Sequence, residues 1–400
     1  MASATGTRAP RLAAVLREGE RVTPLELFFD LVFVLALTQC TALMSAEPTW
    51  SGLAQGMLVL GVLWWSWTGY AWLTSVVDPE EGAVRIAMFA AMAAFLIVSI
   101  AVPDAFGDLA LEFALAYGAV RAAHIALFVL ASRDDPDLRR SVTGLAVSTA
   151  IGVGLLVGAS FLDGLAQGAL WVLALALDMG GPFLFGAGGW KLVPGHFAER
   201  HGLIIIIALG ESIVAIGVGA HAHLDLGIAA AAVLGIALSA ALWWMYFDIV
   251  ALVSRRRLID APEGRVRNEL ARDSYSYIHF PMVAGIVLMA LGLKTTLGHV
   301  SDPLETVPAF ALLGGISAYL LGLVAFRFRH VHTINRQRLA MAVLLFALLP
   351  LATNIPALAT LSILVALLAA MIAYETRSYG EGRARARHPD FPPERPATER

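Results

Sequence analysis

The chain is predicted to be an all-α membrane protein with about twelve transmembrane helices. Long apolar stretches run almost end to end, and the basic residues fall between alternate ones. The composition agrees: 58% of residues are apolar and 15% are charged, and mean hydropathy is +0.73. A soluble chain carries about a quarter charged residues. A membrane β-barrel would show alternating segments of about ten residues, and this sequence has none.

A spanning helix needs roughly 20 mostly apolar residues. The first segment, 26–46, opens after Thr23-Pro24; the second, 53–77, is rich in Trp; the third, 83–102, stops at Pro103. Then come 109–131, 141–161 and 165–186, the last with Pro182 near its end. The second half reads 202–220, 226–252, 274–296, 306–327, 336–352 and 355–374. Pro350 and Pro356 mark the junction of the last two, and Pro281 is expected to kink the ninth by freeing a carbonyl one turn earlier. Gly52/Gly56, Gly210/Gly217 and Gly181/Gly186/Gly189 suit close helix packing.

Charge fixes the orientation. Of 28 Lys and Arg, 26 fall on one side: the N-terminus, Arg85, and the loops 132–140, 187–201, 253–273 and 327–338, with the C-terminal tail. Lys294 lies opposite, and Arg121 lies inside a helix. Cytoplasmic loops carry the Lys/Arg excess, so both termini are expected in the cytoplasm of a multi-pass protein of a bacterial plasma (inner) membrane. Residues 1–24 form a polar N-terminal segment, 25–375 the transmembrane domain and 376–400 a disordered tail that anchors topology. No cleavable signal is expected, because the first apolar segment is too long for one. Cys40 is the single cysteine, which excludes an internal disulfide and Cys-based metal centres.

The halves resemble each other. Trp64-Trp65-Ser66-Trp67 parallels Trp243-Trp244-Met245-Tyr246, and Glu81-Gly82-Ala83-Val84-Arg85 parallels Glu263-Gly264-Arg265-Val266-Arg267. Asp30 parallels Glu211. The shifts of 179 to 182 residues suggest two parallel six-helix repeats, 25–190 and 200–375. Chance similarity in an Ala/Leu/Gly-rich chain is the plainer alternative.

Ionisable groups inside these segments cost about 2.5–3.5 kcal/mol each on insertion scales, so each needs a partner or a purpose. They are Glu26, Asp30, Glu112, Arg121, His124, Asp178, Glu211, Asp248 and His279. At 1.5 Å per residue, Arg121, Asp178 and Glu211 fall near the midplane and Asp30, Asp248 and His279 in the cytoplasmic half. Glu26 and Asp30 share a face, and so do Arg121 and His124. Arg121 does not deprotonate, so it is expected to meet Glu211 or Asp178. Two readings stay open: a structural ion pair, or a polar path from Asp30, Asp248 and His279 to the central group that binds an ion or relays protons. Glu26 also reads as a cap of the first helix. Trp64 lies too deep for an interfacial belt and reads as core packing. His221, His223 and Asp225 form a weak metal pattern, and neither a metal site nor any cofactor is expected. No phosphate-binding loop, dinucleotide fingerprint or nucleophile elbow is present, so no enzyme activity is expected. The loops are too short for a nucleic-acid-binding module.

The run Arg21-Val22-Thr23-Pro24-Leu25-Glu26-Leu27-Phe28-Phe29-Asp30-Leu31-Val32-Phe33 resembles the signature of the bacterial low temperature requirement A family. Glu199-Arg200-His201-Gly202-Leu203 followed by Ala208-Leu209-Gly210-Glu211-Ser212 agrees with it, and the resemblance covers about residues 20–375. It implies a multi-helix inner-membrane protein linked by name to growth in the cold, without an established substrate. The polar positions it carries over are Glu26, Asp30, Glu199, Arg200, His201 and Glu211. A fainter likeness, Arg21 with Phe28-Phe29-Asp30, is to a cation-channel family of two six-helix repeats.

The expected function is a secondary transporter or transport-like protein with a proton-coupling option, acting on an unidentified small solute or ion. The binding candidates are Asp30, Glu211, Arg121, Asp178, Glu26, His201, Asp248 and His279. A cation channel and a non-transporting sensor or scaffold are the alternatives. The lipid bilayer is the expected partner, and an oligomer is compatible with the sequence.

Overall fold

The computed structural model describes residues 21–80, 82–184, 186, 189–220, 225–380 and 387. The described chain is helical and contains no named strand; an isolated bridge joins Pro303 and Pro356. In order the helices are α1 (Pro24–Ala46), α2 (Trp50–Thr74), α3 (Gly82–Ala101), α4 (Ala110–Ala131), α5 (Pro136–Ala159), α6 (Gly164–Leu184) and α7 (Pro194–Gly219). They continue as α8 (Leu226–Phe247), α9 (Val250–Asp260), α10 (Arg265–Ala271), α11 (His279–Gly298), α12 (Thr306–Val331), α13 (Arg336–Ala347), α14 (Leu349–Ala352) and α15 (Ala357–Ser378).

Among the described residues, ten helices are long and apolar enough to cross a membrane, against the twelve expected. The chain is a multi-pass integral membrane protein in contact with lipid. Two predicted segments fall outside the ten for different reasons. The 25-residue α2 has the length, but its indoles, glycines and hydroxyls dilute its hydropathy. The predicted 336–352 helix is divided into α13, of 12 residues, and α14, of 4. Pro350 enters at the start of α14, where it lacks an N–H and its ring collides with the carbonyl four residues back. Twelve helical residues reach about 18 Å, short of the ~30 Å hydrocarbon core.

Two predicted loops are instead helix. α7 begins at Pro194, so Glu199, Arg200 and His201 lie on it and not in a 187–201 loop. Proline is pre-organised for the first helical position, and that signal went unused. The predicted 253–273 loop holds α9 and α10, because Arg, Leu and Glu continue a helix once apolarity ends. Arg272–Ile278 then forms a π-helix just before Pro281. The wider π turn accommodates a residue that cannot bond to the carbonyl four back.

By contacts the chain divides into two units. Unit one holds α1 as far as Gln39, Leu58–Phe197 and the short stretch Glu263–Glu269. In it α3 packs on α4, α4 on α5 and α5 on α6. Asp135 caps α5 by accepting from the Asp137 and Leu138 N–H groups, and Lys191 with those donors holds its carboxyl below the usual aspartate range. Unit two holds Cys40–Met57, Ala198–Pro262 and the chain from Leu270 onward. Its centre is the α11–α12 pair, each with 78% of its apolar window buried, against 28% for the α8–α9 span. Ala357 N–H donates to Asp302 O (2.8 Å), pinning the start of α15 to the loop after α11.

Glycine makes the α11–α12 approach. A Cβ at Gly285 would stand 2.4 Å from Gly315 O, and one at Gly315 would stand 2.6 Å from Gly285 O. Gly292 and Gly322, one heptad along each helix, face Leu312 and Met282 in the same way. Of the three glycine groups singled out from sequence, Gly210 and Gly217 have nothing within 4 Å of either Cβ position, whereas Gly56 and Gly181 face Met44 and Ser148 closely. In an open helix, Gly→Ala gains about 0.5–1 kcal/mol. The sign should therefore differ between sites: Gly210→Ala raises or preserves the melting temperature in detergent, and Gly315→Ala lowers it by the equivalent of about 1–3 kcal/mol of overpacking. Equal behaviour of the two variants would refute the close crossing.

Candidate functional site

In unit one the polar groups begin at the entry to α1. Thr23 and Glu26 form a capping box: Glu26 Oε2 accepts from the Thr23 N–H (2.9 Å) and hydroxyl (3.1 Å), and the Glu26 N–H donates to Thr23 Oγ1 (3.4 Å). The capping reading of Glu26 therefore holds, but it is half the arrangement. Glu26 Oε1 lies 2.9 Å from His196 Nε2, with both side chains fully buried. His196 was not singled out from sequence. Its signal was Pro194 two residues earlier, which starts α7 and carries His196 into its first turn.

One turn along the same face, Asp30 is fully buried and its Oδ1 accepts the Trp67 indole N–H at 2.8 Å. Trp67 is thus a donor as well as a packing residue. Trp64 stacks on it (centroids 5.2 Å apart), as core packing requires, and Phe33 lies 6.1 Å away. Further along α2, the Tyr70 hydroxyl donates to Val120 O (2.9 Å), and its ring meets the buried His124 ring at 5.2 Å. Between them, a Cβ on Gly69 would meet His124 Cε1 at 2.7 Å and Arg121 Nη1 at 3.1 Å.

Of the two partners expected for Arg121, Asp178 is the one it meets. Arg121 Nη2 donates to Asp178 Oδ1 (3.1 Å) and Thr149 Oγ1 (2.6 Å), and Thr149 in turn donates to Asp178 Oδ1 (2.8 Å). The Tyr117 hydroxyl donates to Asp178 Oδ2 (3.2 Å). Both carboxylate oxygens are engaged, and donors from α4 and α5 converge on one acid of α6.

Unit two holds the remaining candidates. Glu211 is buried on α7 beside Ser212, whose hydroxyl bonds to Ser239 (2.8 Å). His201 is buried edge-on to Tyr275 (5.2 Å) and His279 (5.4 Å). His279 Nδ1 lies 3.0 Å from Ser274 O, a carbonyl that can only accept. That fixes the proton on Nδ1 and leaves Nε2 to accept from the Tyr246 hydroxyl (2.9 Å). Phe326 and His330 extend this aromatic group. Asp248 pairs with Arg387.

Sequence reading also passed over a second guanidinium–carboxylate pair. Arg338 Nε and Nη2 donate to Glu375 Oε1 (3.0 Å) and Oε2 (2.9 Å), and Asn335 Nδ2 adds a bond to Oε1 (2.9 Å). Arg338 Nη1 reaches Met245 O (3.1 Å). Arg338 was counted as topological; an acid at the end of an apolar helix was the available signal.

Among the described residues no group of three His, Cys, Asp or Glu is placed to hold a metal ion. Of the weak metal pattern, His221 and His223 lie outside the described residues, and Asp225 caps α8 by accepting the Ile228 N–H (2.7 Å).

Neutralising one member of a buried pair costs about 3–5 kcal/mol, and replacing both costs far less. Arg121→Met should therefore lose expression and thermal stability, and Arg121→Met with Asp178→Asn should regain much of both. Arg121→Met with Glu211→Gln should not. A rescue by Glu211→Gln and not by Asp178→Asn would reverse the assignment.

The family described as "Bacterial low temperature requirement A protein (LtrA)" matches residues 21–373. An uncharacterised protein of Rhizobium meliloti (strain 1021), RA0937, is 31% identical over 310 residues, covering 74% of this chain and 75% of the relative. No solved structure matches. The match takes in both motifs, the α1 run with Glu26 and Asp30 and the α7 run with His201 and Glu211, and this chain belongs to the bacterial low temperature requirement A family.

Proposed function

We propose that the protein is a secondary transporter of the bacterial plasma membrane, coupled to protons and not an enzyme, with both termini in the cytoplasm. The observation that carries this reading is the Glu26–His196 hydrogen bond, sealed inside the helices one turn from Asp30. A carboxyl and an imidazole at 2.9 Å exchange between an ion pair and a neutral pair by moving one proton. Carboxylate and His groups of this kind serve as proton relays in transporters. Asp30 complements them, because Trp67 can donate to Asp30 Oδ1 whether or not the carboxyl is protonated. In this reading Arg121–Asp178 and Arg338–Glu375 are clamps, not substrate ligands, and Glu211 is a second binding carboxylate. The two parallel repeats suggested by the sequence belong to the same reading. The substrate is a small solute or ion.

A scaffold or sensor is the second reading, favoured by the pairing of the buried guanidinium groups. Flux through the full chain in proteoliposomes, measured for a panel of ions and small solutes with and without a pH gradient, separates the two. Asp30→Asn keeps the acceptor for Trp67 and removes the titration. It should fold as the parent does, with pH-driven flux falling to the level of empty vesicles. Unchanged pH dependence in a well-folded Asp30→Asn protein would remove Asp30 from coupling, and the absence of flux for every solute would favour the scaffold.

Orientation has its own test. A cysteine introduced at Glu263 should react with membrane-impermeant reagent only from the cytoplasmic side, and one at Asp225 only from outside. The reverse pattern would invert the topology.

A further inference from the structure

A cavity of about 310 Å³ opens in unit two where α8 gives way to α9. Its wall there is apolar, from Ile249, Val250 and Leu323. Its floor is the Arg338–Glu375 pair, whose charges cancel through two parallel hydrogen bonds. Arg327 at the mouth differs. Its Nε donates to Thr333 Oγ1 (3.0 Å), and its two terminal nitrogens bond to no protein acceptor among the described residues. With the floor neutral, the cavity carries one net positive charge.

The other polar groups at the mouth also donate. Tyr379 accepts from Gln337 Nε2 (2.8 Å), which leaves its own hydroxyl proton to give. The start of the 12-residue α13 adds the partial positive charge of a helix N-terminus. One guanidinium, one hydroxyl and a helix N-terminus suit a singly charged oxyanion with several acceptor oxygens, as a phosphodiester is. The walls require the rest of the ligand to be apolar. Beyond the mouth, α13 exposes Leu339, Val343 and Phe346 along its outer face, a continuous track for a hydrocarbon chain. The basic residues of this region also belong to the leaflet that positive-inside topology assigns to the cytoplasm, where anionic lipids concentrate.

We infer that this cavity is a phosphate-recognising site that holds the headgroup of an anionic phospholipid, with Arg327 as its principal ligand. The inference does not depend on transport. The same chemistry could in principle be met by free phosphate, and binding measurements on the full chain in detergent separate the sources. The probes are phosphatidylglycerol, a diacylglycerol with the same acyl chains, and inorganic phosphate. Two variants accompany them: Arg327→Gln, at an exposed position, and Ile334→Trp, which fills the mouth from a residue that is half exposed. Phosphatidylglycerol should bind more tightly than diacylglycerol, and Arg327→Gln should weaken it about fivefold. Ile334→Trp should weaken it without any change of charge, and neither variant should shift the melting temperature of lipid-free protein. Inorganic phosphate bound with the same Arg327→Gln loss, and phosphatidylglycerol not bound, would overturn the lipid and leave a soluble phosphate site. Equal binding of phosphatidylglycerol and diacylglycerol, or phosphatidylglycerol binding that neither variant alters, would overturn the inference.

Discussion

An ionised side chain cannot be left alone in a low-dielectric interior, and each unit of this protein is tied together by the way it meets that constraint. In unit one Asp178 of α6 collects Arg121 and Tyr117 from α4 and Thr149 from α5. In unit two Glu375 of α15 collects Arg338 of α13 and Asn335, its capping residue, while Arg338 also holds the Met245 carbonyl of α8. Each carboxylate fixes helices whose lateral packing against one another, apolar on apolar, carries little register information. Between helices in lipid there is no hydrophobic force to choose one rotation over another; directional bonds to a buried charge do so.

The same constraint separates groups that hold the fold from groups available for chemistry. A guanidinium bound by a carboxylate stays charged at every physiological pH. On the proposed reading, protons would move instead at the Glu26–His196 hydrogen bond and at Asp30, whose Oδ1 accepts from Trp67. These groups sit on α1 and its immediate contacts, within the stretch matched by the family. In unit two, His279 is held in one tautomer by Ser274 and Tyr246, and the π-helix that carries Ser274 and Tyr275 is where the helix adjusts to Pro281. A backbone irregularity forced by proline thus sets the ring orientation of a buried histidine.

Small residues permit what the charges direct. Gly285 and Gly315 bring the α11 and α12 backbones together closely enough that a methyl group would strike a carbonyl. Gly69 on α2 leaves room for the His124 ring and the Arg121 guanidinium. Both kinds of glycine look alike in a sequence with 36 of them. What separates them from Gly210 and Gly217 is the neighbour, which spacing along one helix does not reveal.

Composition and hydropathy by themselves determined that this is an all-helical multi-pass membrane protein, because a spanning segment must be apolar and self-satisfied in its hydrogen bonds. Depth expected from helical rise narrowed the partner of Arg121 to two acids. Tertiary structure chose Asp178 over Glu211, because azimuth around a helix and the identity of neighbouring helices are not written in hydropathy. It placed Glu199, Arg200 and His201 on α7, continued helix through α9 and α10, and divided the 336–352 segment at Pro350, because helix limits follow caps and prolines and not the end of apolarity. It alone found His196 and the Arg338–Glu375 pair: both contacts unite residues far apart in the chain, and His196 and Arg338, read singly, look like a loop residue and a topological charge.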